Sequence, residues 1–189
     1  MDYYRFADTP VSFSHFMKVP FEERNLILDK LKKQNNLQVE ILVFCLMPNH
    51  FHLLLKQITE KGITNFISNV QNGYAKYINI KEDRAGPLFQ SAFKGVRIET
   101  DEQLLHVSRY IHLNPSTGYL VGIEKLIEYP WSSLPDYLES ANKKFAFVSP
   151  DLILSFFGSR GSRGKYKEFV LNQAEYQRKL ANIKHLVLE

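Results

Sequence analysis

The chain has 189 residues, with 24 Lys and Arg against 20 Asp and Glu, a net charge of +4. That length can bury one sizeable core, and the slight basic excess is compatible with phosphate binding without requiring it. The single cysteine, Cys45, excludes an internal disulfide framework, and no apolar run is long enough to cross a membrane. We therefore predict a cytoplasmic protein with one α/β domain and a small appendage.

Hydrophobic periodicity predicts six elements between residues 21 and 113. They are a helix at 21–34, strands at 39–46 and 50–57, a helix at 63–80, a strand at 93–98 and a helix at 101–113. Residues 1–19 show no regular pattern. The predicted fold class is α/β, and more specifically α+β: an antiparallel sheet with helices packed on it.

The end of the chain is predicted as a small helical extension. Ser149-Pro150 opens a helix that continues to Phe156, residues 158–164 form a Gly/Ser/Arg loop, and residues 166–180 form a last helix. We place the domain boundary after residue 133, with a catalytic domain at 1–133 and the extension at 134–189.

The segment Met-Pro-Asn-His-Phe-His at residues 47–52 carries the strongest chemical signal. Pro48-Asn49 is typical of a turn, and the following run is apolar. Because side chains alternate along a strand, His50 and His52 face the same side. Such a pair can converge on one metal ion or one phosphate, although a histidine in a strand is more often a satisfied core or rim residue.

A second signal lies on the predicted helix at 101–113. Thr100 and Gln103 have capping-box spacing, and Asn114-Pro115 is expected to end the helix. Tyr110 and Asn114 lie one turn apart on one face, which is hard to explain as a hydrophobic seam. The alternative is that the Tyr110 ring packs in the core and only its hydroxyl is hydrogen-bonded.

Together these motifs resemble a known family. "MPNHFHLLL" at residues 47–55, "GPLFQSAFKG" at 86–95 and "YIHLNP" at 110–115 are similar to the HUH-type tyrosine transposases, in particular the REP-associated tyrosine transposases and their insertion-sequence relatives. The resemblance runs from about residue 40 to residue 133. It implies a ferredoxin/RRM-like nuclease core that cleaves and joins single-stranded or hairpin DNA.

The resemblance also implies roles for individual residues. His50 and His52 match the two metal-binding histidines, and Asn114 matches an amide that completes the site. Tyr110 matches the nucleophile, which forms a 5′-phosphotyrosine. Since magnesium prefers oxygen ligands and imidazole suits transition metals, either Mg²⁺ or Mn²⁺ is expected.

Other residues are candidates for DNA contacts or for the nucleophile. Arg84, Lys94 and Arg97 supply positive charge around the middle motif, and Phe89 offers a ring that can stack on a base. Tyr74 and Tyr77 compete with Tyr110 as nucleophiles, but their helical spacing favours packing on the sheet. His106 and His112 are interpreted as supporting or solvent-facing residues.

One feature departs from the family pattern. Relatives begin with a strand that carries a Tyr-His and an Arg-Gly-Asn-like signature, and residues 1–16 show neither. Loss of that strand is expected to leave a sheet edge unpaired or the core thinned, which would impair the activity of this chain. The alternative functions are a non-catalytic, domesticated relative that binds DNA hairpins and, ranked lower, a histidine-based nucleotide hydrolase. The sequence leaves open a monomer or a homodimer, and we expect a nucleoid-associated location.

Overall fold

The structure, a computed structural model, describes residues 1–90, 93–139, 144–172 and 174. This part of the chain mixes helices with a two-stranded sheet, which agrees with the α+β class. Contacts divide it into two compact units. The first unit comprises residues 1–40 and 56–96, and the second comprises residues 41–55 with the described residues from Arg97 onward.

The sheet is a hairpin of strands β1, Val39–Leu46, and β2, Phe51–Gln57. The strands are hydrogen-bonded neighbours, and the backbone N–H of Met47 donates to the His50 carbonyl across the turn at 2.8 Å. Six of the eight residues of β1 are buried, which fits a sequence that is apolar except for Glu40. The two predicted strands and the turn between them are confirmed.

The first unit contains helices α1, Phe13–Lys18; α2, Phe21–Lys33; and α3, Gly62–Lys81. The prediction that residues 1–19 have no regular structure was wrong for Tyr3–Arg5 and for Phe13–Lys18. A 3₁₀ turn at Tyr3–Arg5 and helix α1 bury an aromatic cluster built on Tyr3, Phe6, Phe16 and Leu31. The stacked rings of Tyr3 and Phe16, with centroids 4.3 Å apart, supply the apolar area that orders this segment.

The predicted strand at 93–98 does not form. The residues from Phe93 to Glu99 have no regular structure, and the Val96 side chain is 88% exposed. A strand needs a neighbouring edge for its backbone groups, and Gly95 supplies no side chain for packing. The alternating sequence alone was therefore insufficient to form a strand at residues 93–98.

The edge of β1 that faces away from β2 is paired by a later segment of the second unit. The Leu46 N–H donates to the Trp131 carbonyl at 2.8 Å, and the Ser133 N–H donates to the Phe44 carbonyl at 3.0 Å. Isolated bridges join Cys45 to Ser132 and Ile41 to Val148. The unpaired edge expected from the missing first strand is not present on this side of the hairpin.

The second unit is mainly helical. Its helices are α4, Asp101–Thr117; α5, Leu134–Leu138; α6, Asp151–Ser155; and α7, Ser162–Leu171, with a 3₁₀ turn at Ile123–Glu128. Helix α4 packs against α6 and α7. The predicted extension is therefore helical where it is described, with Pro150 at the N-cap of α6. Helix α7 begins inside the predicted loop, and the predicted helical residues 173 and 175–180 lie outside the described residues.

Helix α4 begins as predicted but ends later. The Thr100 hydroxyl oxygen accepts the Gln103 N–H at 3.1 Å, which is the expected cap. The helix does not stop at Asn114-Pro115; it continues to Thr117, and the Gly118 N–H donates to the Asn114 carbonyl. Proline in the last turn removes only its own N–H bond, and burial of residues 111–116 stabilises the extra turn.

The sequence also predicts a ferredoxin/RRM-like core and no membrane-spanning segment. The described residues form one two-stranded sheet, so the ferredoxin/RRM-like HUH core is not confirmed. No helix in the described part of the chain is both long and apolar enough to span a bilayer.

Candidate active site on the hairpin and helix α4

The two histidines of the motif lie side by side, as the alternation of β2 predicts. Their ring centroids are 4.9 Å apart, and the ring planes are perpendicular at 89°. His50 Nδ1 lies 2.7 Å from the Asn49 side-chain oxygen. Because that oxygen can only accept, Nδ1 carries a proton, and the neutral form of the ring has its lone pair on Nε2.

His52 is the more enclosed of the pair. Its Nε2 is buried and has no hydrogen-bond partner among the described residues. Burial, and secondly the proximity of His50, lowers the pKa of His52, so the ring is held neutral. A neutral imidazole with an unpaired, buried nitrogen is what a metal ligand requires before the ion binds.

Tyr110 of α4 lies next to this pair in the same chain. Its ring centroid is 5.7 Å from that of His52, and the planes meet at 80°. The Tyr110 side chain is half-exposed, so the alternative in which it packs in the core was wrong. It lines a cleft of about 260 Å³ together with other α4 residues: His106, Val107, Arg109 and Leu113.

Asn114, the candidate third ligand, lies one turn beyond Tyr110 on α4. It is buried, and its side-chain NH₂ donates to the Tyr110 carbonyl oxygen at 3.0 Å. This leaves the amide oxygen as its potential ligand atom. No three His, Cys, Asp or Glu side chains gather as a metal site in the described part of the chain. A cation held here therefore depends on the histidine pair and an amide.

The predicted DNA-contacting residues lie on exposed loops of both units. Arg84 and Lys94 are exposed residues of the first unit, where the Phe89 ring contacts Tyr74 with centroids 6.4 Å apart. Arg97, also exposed, belongs to the second unit. All three cations can reach solvent, as phosphate contacts require.

The competing tyrosines of α3 do not pack as predicted. Tyr74 is 52% exposed and Tyr77 is 57% exposed. The apolar stripe of α3 is buried only near its start, at Phe66 and Ile67. Periodicity identified the correct face but could not show where along the helix that face is covered.

The role of His112 was not predicted from the sequence. This side chain is fully buried, with Nδ1 2.8 Å from the Tyr166 hydroxyl and Nε2 2.9 Å from the Ser133 hydroxyl. Tyr166 donates onward to Ser108 at 3.2 Å, and Ser108 donates to the Leu105 carbonyl. Every donor finds an acceptor when His112 is neutral and protonated on Nδ1.

This buried network ties α4 to the hairpin and to α7. The Ser133 hydroxyl oxygen also accepts the Phe44 N–H of β1 at 2.9 Å, and Tyr166 belongs to α7. Ser108 and His112 are four residues apart, so both lie on the buried face of α4. Tyr110 projects from a different side of the same turn.

Comparison with known proteins assigns the chain to a class. Residues 21–114 match the family model described as Transposase IS200 like. That match begins at α2 and includes the histidine pair, Tyr110 and Asn114. No curated protein and no solved structure was found to match the chain.

The chain belongs to the IS200-like transposase family through this segment, which confirms the resemblance seen in the motifs. Membership indicates a transposase, with nuclease and transesterase chemistry in general terms.

The buried His112 makes a testable contribution to the pH dependence of stability. Burial lowers its pKa from 6.5 to about 3, so the unfolded chain binds a proton between these values and the folded chain does not. Stability is therefore present above pH 6.5 and is lost as the pH falls below it. We expect the free energy of unfolding to drop by about 2 kcal/mol between pH 7 and pH 5.

Urea unfolding at several pH values measures this drop. The same series on His15→Gln, which changes an exposed histidine, should give the wild-type slope. If the free energy of unfolding falls with pH as steeply in His112→Gln as in wild type, other groups cause the pH dependence.

Proposed function

We propose that this transposase is a metal-dependent single-strand DNA endonuclease and strand transferase, with Tyr110 as its nucleophile. The observation that carries the proposal is the position of the Tyr110 ring 5.7 Å from His52 within one chain. A phenol beside two imidazoles has no evident packing role here, since Tyr110 is half-exposed.

The proposed reaction transfers a DNA phosphoryl group to the tyrosine. The Tyr110 oxygen attacks the scissile phosphorus and forms a new P–O bond while the bond to the 3′ oxygen breaks. The phenol proton passes to solvent, and the departing oxygen gains a proton to become a 3′ hydroxyl. The product is a 5′-phosphotyrosine, whose bond energy is kept for joining another DNA end.

The residues present fit a divalent cation. His52 Nε2 is buried and has no hydrogen-bond partner in the described part of the chain, and the Asn49 contact leaves His50 Nε2 free to bind. The Asn114 amide oxygen is the candidate third donor. When bound, Mg²⁺ or Mn²⁺ would act as a Lewis acid for the phosphate oxygens. The mixed nitrogen and oxygen donors favour Mn²⁺ somewhat over Mg²⁺.

The proposed substrate is single-stranded or hairpin DNA. Arg84, Lys94 and Arg97 are exposed cations that can contact phosphates, and Phe89 can stack on an unpaired base. Such contacts give an affinity that falls as salt rises. Because the phenol and the histidine pair lie in one chain, a monomer suffices for the reaction, although a homodimer is compatible with it.

Removing one imidazole tests the proposal. Wild-type protein, incubated with hairpin DNA and Mn²⁺ or Mg²⁺, should form a denaturant-resistant protein–DNA adduct, and a chelator should prevent it. We expect His52→Ala to lower the rate of adduct formation by about 100-fold or more, because the cation loses a ligand. The measurement is adduct yield against time on a denaturing gel.

The matched control is His15→Ala, which removes an exposed histidine from α1. It should retain the wild-type rate. Adduct formation that continues unchanged in the presence of chelator would refute the metal dependence. Binding of the hairpin without any adduct would instead support the non-catalytic alternative.

A further inference from the structure

A buried cation, Arg109, lies beside Tyr110 and has no carboxylate partner among the residues that the structure describes. Arg109 is only 8% exposed, yet it takes part in none of the ion pairs of the described residues. Its guanidinium carbon lies 4.4 Å from the centre of the Phe169 ring. A cation removed from water is costly unless an anion compensates it.

The guanidinium is held in a defined orientation. One Arg109 nitrogen lies 2.7 Å from His106 Nδ1, which must accept because arginine can only donate. Phe169 of α7 contacts the guanidinium through a cation–π interaction. Of five N–H donors, the described contacts use one. The others form a pre-oriented fork, the geometry that matches phosphate oxygens.

The position of this fork relates it to the proposed nucleophile. Arg109 and Tyr110 line the same cleft of about 260 Å³, which has room for a sugar–phosphate unit. His106 and Leu113 line it as well, so it offers one polar and one apolar wall. No acidic side chain is among its lining residues.

We propose that Arg109 forms a subsite for one backbone phosphate of the bound DNA strand, adjacent to the phosphate that Tyr110 attacks. This inference rests on the proposed function for the identity of the ligand. The phosphate supplies the anion that no described residue provides for the buried guanidinium, and the fork fixes the path of the strand across the cleft. His106 and Phe169 are positioning residues, since each contacts the Arg109 guanidinium and orients it.

The test measures coupling between Arg109 and a single phosphate. An oligonucleotide is selected from a random pool for tight binding, and each phosphate in turn is replaced by an uncharged methylphosphonate. Binding is measured in the Tyr110→Phe background with chelator present, so no chemistry intervenes. At one position the replacement should weaken binding about tenfold or more. In Arg109→Gln the same replacement should have almost no further effect.

Two variants serve as controls. Arg163→Gln removes the same charge from α7, where that guanidinium donates to the Asp136 carbonyl. It should keep the full effect of the methylphosphonate. Arg109→Lys retains the charge but not the fork, and should show a reduced effect at the same position. It replaces Arg109→Gln in the comparison if the glutamine variant fails to fold.

The outcomes separate this subsite from the proposed function. Methylphosphonate effects that are equal in wild type and in the Arg109 variants overturn the subsite and leave a purely structural link between α4 and α7. A coupled position together with no covalent adduct in wild type supports the subsite and overturns the transesterase. A covalent adduct in wild type without any coupled phosphate position supports the transesterase and overturns the subsite.

Discussion

Replacing Tyr110 by phenylalanine should abolish the covalent protein–DNA adduct while leaving DNA binding nearly unchanged. The substitution removes a single oxygen, the atom proposed to attack phosphorus. The ring stays in place against His52, and the side chain is half-exposed, so stability should change by less than about 0.5 kcal/mol. The measurement is adduct yield with hairpin DNA and Mn²⁺, paired with a binding isotherm.

The chain offers matched controls for this experiment. Tyr74 and Tyr77 are exposed to the same degree as Tyr110 but lie on α3. Tyr74→Phe and Tyr77→Phe should form the adduct at the wild-type rate. If Tyr110→Phe still forms it and one of these variants does not, the nucleophile has been misassigned.

Replacing His112 by alanine should cause the largest loss of stability, about 3–4 kcal/mol. The substitution opens a cavity in a fully buried site and leaves the Tyr166 hydroxyl without one of its partners. It also removes the link from α4 to Ser133, and therefore to β1. Urea unfolding at pH 7.5 measures the loss.

Smaller substitutions apportion this effect. Tyr166→Phe removes only the hydroxyl and should lower the free energy of unfolding by about 1–2 kcal/mol. When it is combined with His112→Ala, the total loss should be smaller than the sum of the two separate losses. His15→Ala, at an exposed position, should remain within about 0.5 kcal/mol of wild type. Strict additivity of the two network substitutions would show that His112 and Tyr166 do not act together.

Local patterns were sufficient where the interaction is local. The strands at 39–46 and 51–57 follow from their apolar runs and the Pro48-Asn49 turn. The start of α4 follows from the Thr100 cap. The same patterns failed where a partner decides the outcome, as at residues 93–98, which have strand-like alternation but no regular structure.

Helix α4 combines features that its local sequence predicts with features that only tertiary packing reveals. Its sequence placed Tyr110 and Asn114 on one face, but only packing shows that Pro115 is tolerated within the helix. Burial in the second unit stabilises the last turn by more than the missing N–H costs. Likewise, no local rule reveals that residues 131–133 pair with β1, because that contact joins positions almost ninety residues apart.

The sequence by itself determined the chemical groups of the candidate site and the elements that carry them: two imidazoles on one strand face and a phenol on a helix. The tertiary structure decided that these elements meet in one chain, that Asn114 bonds to its own helix, and that His112 anchors α4 from the buried side. The physical reason is range. Alternation, capping and turn chemistry act over a few residues, whereas burial and long-range hydrogen bonds depend on which distant segments come together.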